Sequence, residues 1–324
     1  MYAIQADRLV KEFTNLTALN GVDLEIPAGE IVGCVGPNGA GKTTLIRILN
    51  GVLSPTSGSV AVFGQDPFKS GRSLRRKTGI LPEFNSLYEN LSAAENLIFA
   101  GSLYGLKGAA LRGRAAELLD MFGLGERAGD RVSTYSAGMK KKLALARSIV
   151  HSPELIFLDE PTATLDPAAA RMVNELISDL AGLGHRTIFM ATHNLANAEQ
   201  ICSYIVFLSH GKVIAKGPPA ELIEQAGGTL WVNITFETDP PRQLVDHVAR
   251  LPMVTESACI GAILRTGVLN FAGVASLIEE IVNLGGRIIQ VLPKRTSLED
   301  AYFQLIDEKT EGQSRPPRSG YGAK

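Results

Sequence analysis

Nowhere does the chain offer the roughly 20 uninterrupted apolar residues that crossing a bilayer requires, so a membrane role has to come through a partner. Cysteine is scarce: Cys34, Cys202 and Cys259 are odd in number, widely spaced and set among apolar or small neighbours. With no CxxC and no Cys/His cluster, neither a disulfide framework nor a zinc site is supported. The three read as reduced packing residues of an intracellular protein. Charge of one sign is not in excess either. Lys and Arg number 32 against 33 Asp and Glu, a net charge of -1, which removes the electrostatic footprint of a nucleic-acid binder. Met1–Val10 holds Asp7 and Arg8 and lacks an apolar signal core, which argues against export. No internal repeat is visible.

What remains is an ordinary packed composition, 45% hydrophobic and 20% charged over 324 residues. That is room for one large α/β domain and a smaller one. Up to about residue 226, short apolar runs alternate with helical patterns. The runs Ile31–Val35, Leu155–Leu158, Thr187–Ala191 and Ile205–Leu208 suit strands buried on both faces of a mostly parallel sheet. Residues 84–150 carry no convincing strand. Ser92 and Glu95 are spaced as a capping box, and a second helix covers about Ala109–Phe122 before Gly123 and Gly125. This reads as a helical subdomain inserted in the α/β core.

Gly227-Gly228 marks a boundary. Beyond it the order strand (Leu230–Phe236), helix (near Gln243–Arg250), two weaker strands (near Met253–Ser257 and Ala262–Arg265), helix (about Val274–Leu284) and strand (Arg287–Leu292) is β-α-β-β-α-β. That order predicts a small α+β, ferredoxin-like domain over 227–309. A last helix near Ser297–Ile306 leads into 310–324, whose Gly, Ser, Pro and charge read as a disordered tail.

Gly36-Pro-Asn-Gly-Ala-Gly-Lys-Thr43 fits G-x-x-x-x-G-K-[ST] between an apolar strand and a helical run, the context a phosphate-binding loop needs. Gly36, Gly39 and Gly41 let backbone amides approach phosphate oxygens with no Cβ in the way. The helix N-terminus adds partial positive charge. Lys42 suits the β- and γ-phosphates and the Thr43 hydroxyl suits magnesium. Pro37, Asn38, Ala40 and Thr44 complete the candidate contacts. The loop alone does not choose among kinases, GTPases and ATPases.

From Tyr135 to Pro167 the chain reads YSAGMKKKLALARSIVHSPELIFLDEPTATLDP. With the loop above and His193, this resembles the ATP-binding-cassette ATPases across residues 1–226, and so implies a P-loop NTPase core with an antiparallel β edge. Ser297-Leu-Glu-Asp-Ala-Tyr-Phe303 resembles the end of the accessory domain of the exporter branch. The resemblance implies ATP and magnesium as cofactors. Asp159, ending an apolar strand, would hold the metal with Thr43 and Glu83. Glu160 would be the catalytic carboxylate and His193 the switch histidine at the γ-phosphate, with Lys42 completing the catalytic set. Phe13 matches the aromatic that stacks on adenine. Ser136 and Gly138 occupy the signature position, and Asp166 a loop between the active sites. These would act across a head-to-tail pair of cassettes, so the implied partners are a second such subunit and integral membrane subunits. Asp166 also suits a plain helix N-cap before Pro167. Phe84, Leu87 and Tyr88 suit either a docking surface or core packing. Lys140, Lys141 and Lys142, in helix first turns where the macrodipole disfavours cations, suit either an incoming polyanion or a solvated face.

Four departures stand out. Glu83 takes the place of the usual glutamine, Tyr135 of a leucine, Ala137 of the first signature glycine and Thr164 of a smaller residue. None removes Lys42, Asp159, Glu160 or His193. The expectation is therefore a competent ATPase that drives a transporter from the cytoplasmic face of the membrane, of exporter type. The alternatives are an importer ATPase, a non-transport mechanoenzyme and a binding protein without turnover.

Overall fold

The computed structural model describes residues 1–324 apart from 85, 183–185, 227–229, 269–270, 295 and 315–324. The Gly227-Gly228 boundary, His185 and most of the expected tail thus lie outside the described residues. Two long strands open the chain: β1 (Tyr2–Phe13) and β2 (Leu16–Pro27) form an antiparallel hairpin. The phosphate-loop region follows as β3 (Ile31–Val35) and α1 (Lys42–Leu49), then β4 (Ser57–Val62), α2 (Gly71–Lys77) and β5 (Thr78–Leu81). Three helices come next, α3 (Ala93–Leu103), α4 (Gly108–Met121) and α5 (Ala137–Ser148). The core resumes with β6 (Leu155–Asp159), α6 (Pro167–Gly182), β7 (Thr187–Thr192), α7 (Leu195–Ile201), β8 (Tyr204–Ser209), β9 (Lys212–Gly217) and α8 (Pro219–Gln225).

Six strands lie in the order β5-β6-β7-β3-β8-β9, parallel except for β9, which runs antiparallel at the edge. A separate antiparallel sheet has the order β2-β1-β4. One hydrophobic core joins both sheets: α1 packs on β2 and β4 and on β6 and β7, and its Leu45 and Ile48 share a buried cluster with Ile4, Leu9, Phe157, Phe189 and Leu208. Each such side chain contributes on the order of 1.5–3 kcal/mol by its burial. The core therefore clamps the helix that carries the phosphate loop. The Ser92/Glu95 capping box forms as its spacing predicts: Ser92 N–H donates to Glu95 Oε2 at 2.8 Å and Glu95 N–H to Ser92 Oγ at 3.2 Å.

The described structure divides into two compact units, Met1–Pro219 and Ala220–Lys324, so α8 straddles the division. In the second unit β10 (Leu230–Phe236), α9 (Arg242–Val248), β11 (Val254–Ile260), β12 (Ile263–Val268), α10 (Phe271–Asn283) and β13 (Ile288–Lys294) follow the β-α-β-β-α-β order. They form an antiparallel sheet in the order β11-β12-β10-β13, the ferredoxin-like arrangement. Alternate residues Val232 and Ile234 of β10 bury against Val248, Leu277 and Ile281. Both outer strands break register, β11 between Val254 and Glu256 and β13 opposite Thr235/Phe236. α11 (Leu298–Ser314) is longer than the sequence pattern indicates: it runs into the segment read as a tail, and 315–324 are outside the described residues.

Candidate functional site

The phosphate loop leaves β3 and turns straight into α1, and its glycines are where the backbone needs them. A Cβ on Gly36 would sit 2.0 Å from the Leu208 carbonyl oxygen, and one on Gly41 would sit 2.5 Å from that of Ala18. Gly39 and Gly41 have φ of 81° and 108°, a region that disfavours side chains. Lys42 fastens the loop from inside. Its Nζ donates to Gly36 O at 2.7 Å and Pro37 O at 3.1 Å, with the side chain buried. Ala40 is buried as well, and its carbonyl accepts from Gly211 N at 3.0 Å.

Parallel pairing delivers the acids to the same sheet edge. Asp159 ends β6 beside Ala191 of β7, one residue short of that strand's end. The Thr43 hydroxyl donates to Asp159 Oδ1 at 3.2 Å. Burial pushes the Asp159 carboxyl up; the Thr43 hydrogen bond opposes this, and the nearby Glu83 and Glu160 carboxylates reinforce it. Glu160 turns out of line with a left-handed φ of 49°, held by its N–H donating to Ala191 O at 2.9 Å. Strain of this kind in a non-glycine residue clusters at functional sites. Its Oε1 lies 2.9 Å from His193 Nδ1 and 3.8 Å from Lys42 Nζ.

Phe13, Leu16, Ala18, Asn38, Gly39, Gly41, Lys42, Thr43, Thr44, Glu83 and Glu160 line a cleft of about 380 Å³. Phe13 is half exposed at the β1–β2 turn, opposite Leu16, and Lys11 Nζ stands 5.2 Å from its ring centroid. Sequence reasoning missed Leu16 and Ala18, whose only signal is their place just past Phe13 in the hairpin. The structure does not bring Ser136, Gly138 or Asp166 into this cleft. Ser136 caps α5, its Oγ accepting from Met139 N at 3.2 Å. Gly138 packs toward Ala169, where an added Cβ would stand at 3.4 Å. Asp166 caps α6, its Oδ1 accepting from Ala169 N at 2.9 Å, as the plain N-cap reading has it.

The departures have local reasons. Tyr135 is buried and its hydroxyl donates to Arg127 O at 2.7 Å, so the larger ring brings its own polar partner. Thr164 has φ of 65°, where the smaller residue usual at that position would be less strained. Phe84 is 81% exposed and Tyr88 is exposed as well, so neither is core packing; Leu87 is half-buried. Lys141 corrects one reading of the lysine run, being buried rather than on a solvated face. Away from the cleft, His151 stacks on Tyr104 and His247 approaches Glu280 at 3.5 Å.

A strand–loop–helix phosphate site at the edge of a mostly parallel sheet, with Asp159 beside Thr43 and a second acid beside Lys42, defines a P-loop nucleoside triphosphatase. The family described as ABC transporter matches residues 19–163. The chain is 41% identical over 228 residues to the daunorubicin/doxorubicin resistance ATP-binding protein DrrA of Streptomyces peucetius, covering 70% of this chain and 69% of that one. It is 33% identical to the Nod factor export ATP-binding protein I of Paraburkholderia xenovorans, covering 95% and 98%. Among solved structures, a dimeric ATP-binding cassette in a post-hydrolysis state with ADP and Pi superposes with a TM-score of 0.60 at 27% identity, covering 66% of this chain and 98% of the other. The chain belongs to the ABC transporter ATP-binding family. It is an ATPase, the nucleotide-binding subunit of a transporter.

Proposed function

We propose that this subunit hydrolyses ATP as one half of a pair and drives an exporter from the cytoplasmic face of the membrane. The observation that supports this reading best is the convergence of Lys42 and His193 on one carboxylate oxygen of Glu160 beside the phosphate loop. The loop amides and the N-terminus of α1 bind the phosphates, Lys42 balances their charge and Phe13 supports the base. Glu160 orients the attacking water and takes its proton, and His193 holds Glu160 in place. Thr43, Asp159 and Glu83 supply hard oxygen donors of the kind magnesium takes together with phosphate oxygens, and the part-buried Thr43–Asp159 pair fits that role. When bound, the metal neutralises charge on the transferred phosphoryl group.

Ser136, Gly138 and Asp166 lie outside the cleft, and a second copy would bring its own to close it. No helix among the described residues is long and apolar enough to cross a membrane. A groove of about 250 Å³ lined by Tyr88, Phe99, Leu103, Tyr104 and Arg147 suits an apolar segment of an integral membrane subunit. Export as the direction draws support from two similar proteins named for drug resistance and Nod factor export, the second likeness spanning 95% of this chain.

The test is purification of the tagged chain from native membranes in mild detergent, followed by transport in inverted vesicles. The expected result is an integral protein in stoichiometric complex, lost with Leu103→Asp, and ATP-dependent uptake into the vesicles. Recovery only from the soluble fraction, with no integral protein attached, rejects the reading.

A further inference from the structure

Three adjacent lysines on α5 take three different environments. Lys140 pairs with Glu89 at 2.6 Å and Lys142 is half-buried near Glu175 and Asp179. Lys141 is 3% exposed and, among the described residues, makes no hydrogen bond and no ion pair at contact distance. The topology explains where it goes. α5 packs on β5, and Leu81 of β5 is the register partner of Leu158 in β6. Glu83 lies two residues beyond β5, and Asp159 and Glu160 end β6, so the helix brings its buried ammonium to the sheet edge that carries three carboxylates. Further along α5, Arg147 Nη1 donates to the Ser86 carbonyl oxygen. Lys140 and Arg147 thus tie one helix to Glu89 and Ser86.

We propose that Lys141 is, beside Lys42, a second resident counter-cation of the Glu83, Asp159 and Glu160 group, a positioning residue that keeps the excess carboxylate at position 83 compatible with triphosphate binding and ties the signature helix to the site. The inference rests on the nucleotide-site reading above. The energetics follow from burial: an ammonium largely removed from water needs compensating charge, and three neighbouring carboxylates call for more positive charge than Lys42 alone supplies. Burial pushes the Lys141 ammonium below the usual lysine range, and Glu83 first, then Asp159 and Glu160, pull it back. A glutamine at position 83 would need no such partner. Lys141 and Glu83 therefore act as a linked pair, the helix supplying the charge that the loop demands.

A double-mutant cycle tests this, read by binding of a fluorescent ATP analogue with EDTA and again with magnesium. Lys141→Met, close in volume and uncharged, should weaken metal-free binding at least tenfold. With magnesium, which supplies the missing charge, the loss should shrink to about twofold. Glu83→Gln added to Lys141→Met should restore metal-free binding to within about threefold of the wild type. Losses that are equal with and without magnesium, or effects of the two substitutions that simply multiply, overturn the proposal. If Lys141→Met fails to fold, recovery of folding by the added Glu83→Gln supports it and failure of both overturns it. Absence of nucleotide binding in the wild type would instead reject the site reading.

Discussion

His193 Nδ1 and Lys42 Nζ both face the Oε1 atom of Glu160, at 2.9 and 3.8 Å. The carboxylate proposed to orient water is thus held between the imidazole ring of His193 and the ammonium of Lys42. Glu160→Gln keeps the shape and removes the proton acceptor. Steady-state phosphate release should fall about 10²- to 10⁴-fold, while ATP affinity stays within about threefold. Size-exclusion chromatography should then show an ATP-dependent dimer. Unchanged phosphate release would remove Glu160 from the chemistry.

Gly36→Ala addresses the loop itself. The added methyl would lie 2.0 Å from the Leu208 carbonyl oxygen, a backbone atom that cannot swing aside. Thermal melts should show a loss of about 2 kcal/mol or more, and nucleotide binding should disappear, since overpacking costs typically 1–3 kcal/mol. Ala at Gly39 meets no atom within 4 Å but sits at φ 81°. It should cost about 1–2 kcal/mol through backbone strain alone and leave measurable binding. Equal behaviour of the two variants would contradict this account of the loop.

Phe13→Ala should weaken ATP binding by about 1 kcal/mol, roughly fivefold, with Phe13→Tyr indistinguishable from wild type. Because stacking asks only for a flat apolar face, GTP should lose affinity to a similar degree. Titration calorimetry on the three proteins decides it, and an unaffected Phe13→Ala places the base elsewhere.

Much of this was legible because apolar runs at Ile31–Val35 and Leu155–Leu158 and the ordered motifs around Lys42, Asp159, Glu160 and His193 are local signals. The long β1 strand was not, for a physical reason. Arg8 has φ of 43° and the ladder slips between Ala6 and Leu9, so burial loses its two-residue alternation partway along. Lys141 was equally hidden. Nothing in a run of three lysines says which one turns inward; only the packing of α5 on β5 decides that.

The cysteines give a prediction in pH terms. Burial pushes the Cys34 and Cys202 thiols up to about 12, and Cys259, half-buried, is raised as well. A thiol whose pKa is raised carries less thiolate at every pH below it, so alkylation slows on folding. At pH 8 iodoacetamide should modify Cys259 first, with Cys34 and Cys202 reacting only in denaturant. Peptide mass spectrometry reads the order, and early modification of Cys34 would show that β3 opens in the native protein.

The slipped registers of β11 and β13 have a consequence for the life of the protein in a crowded cell. These are the two edges of the second unit's sheet, and β13 also carries Pro293, which has no amide hydrogen to offer. An edge that is kinked and short of donors is a poor template for a strand from another molecule. Surplus copies waiting for assembly partners should therefore stay dispersed instead of joining edge to edge into fibrils.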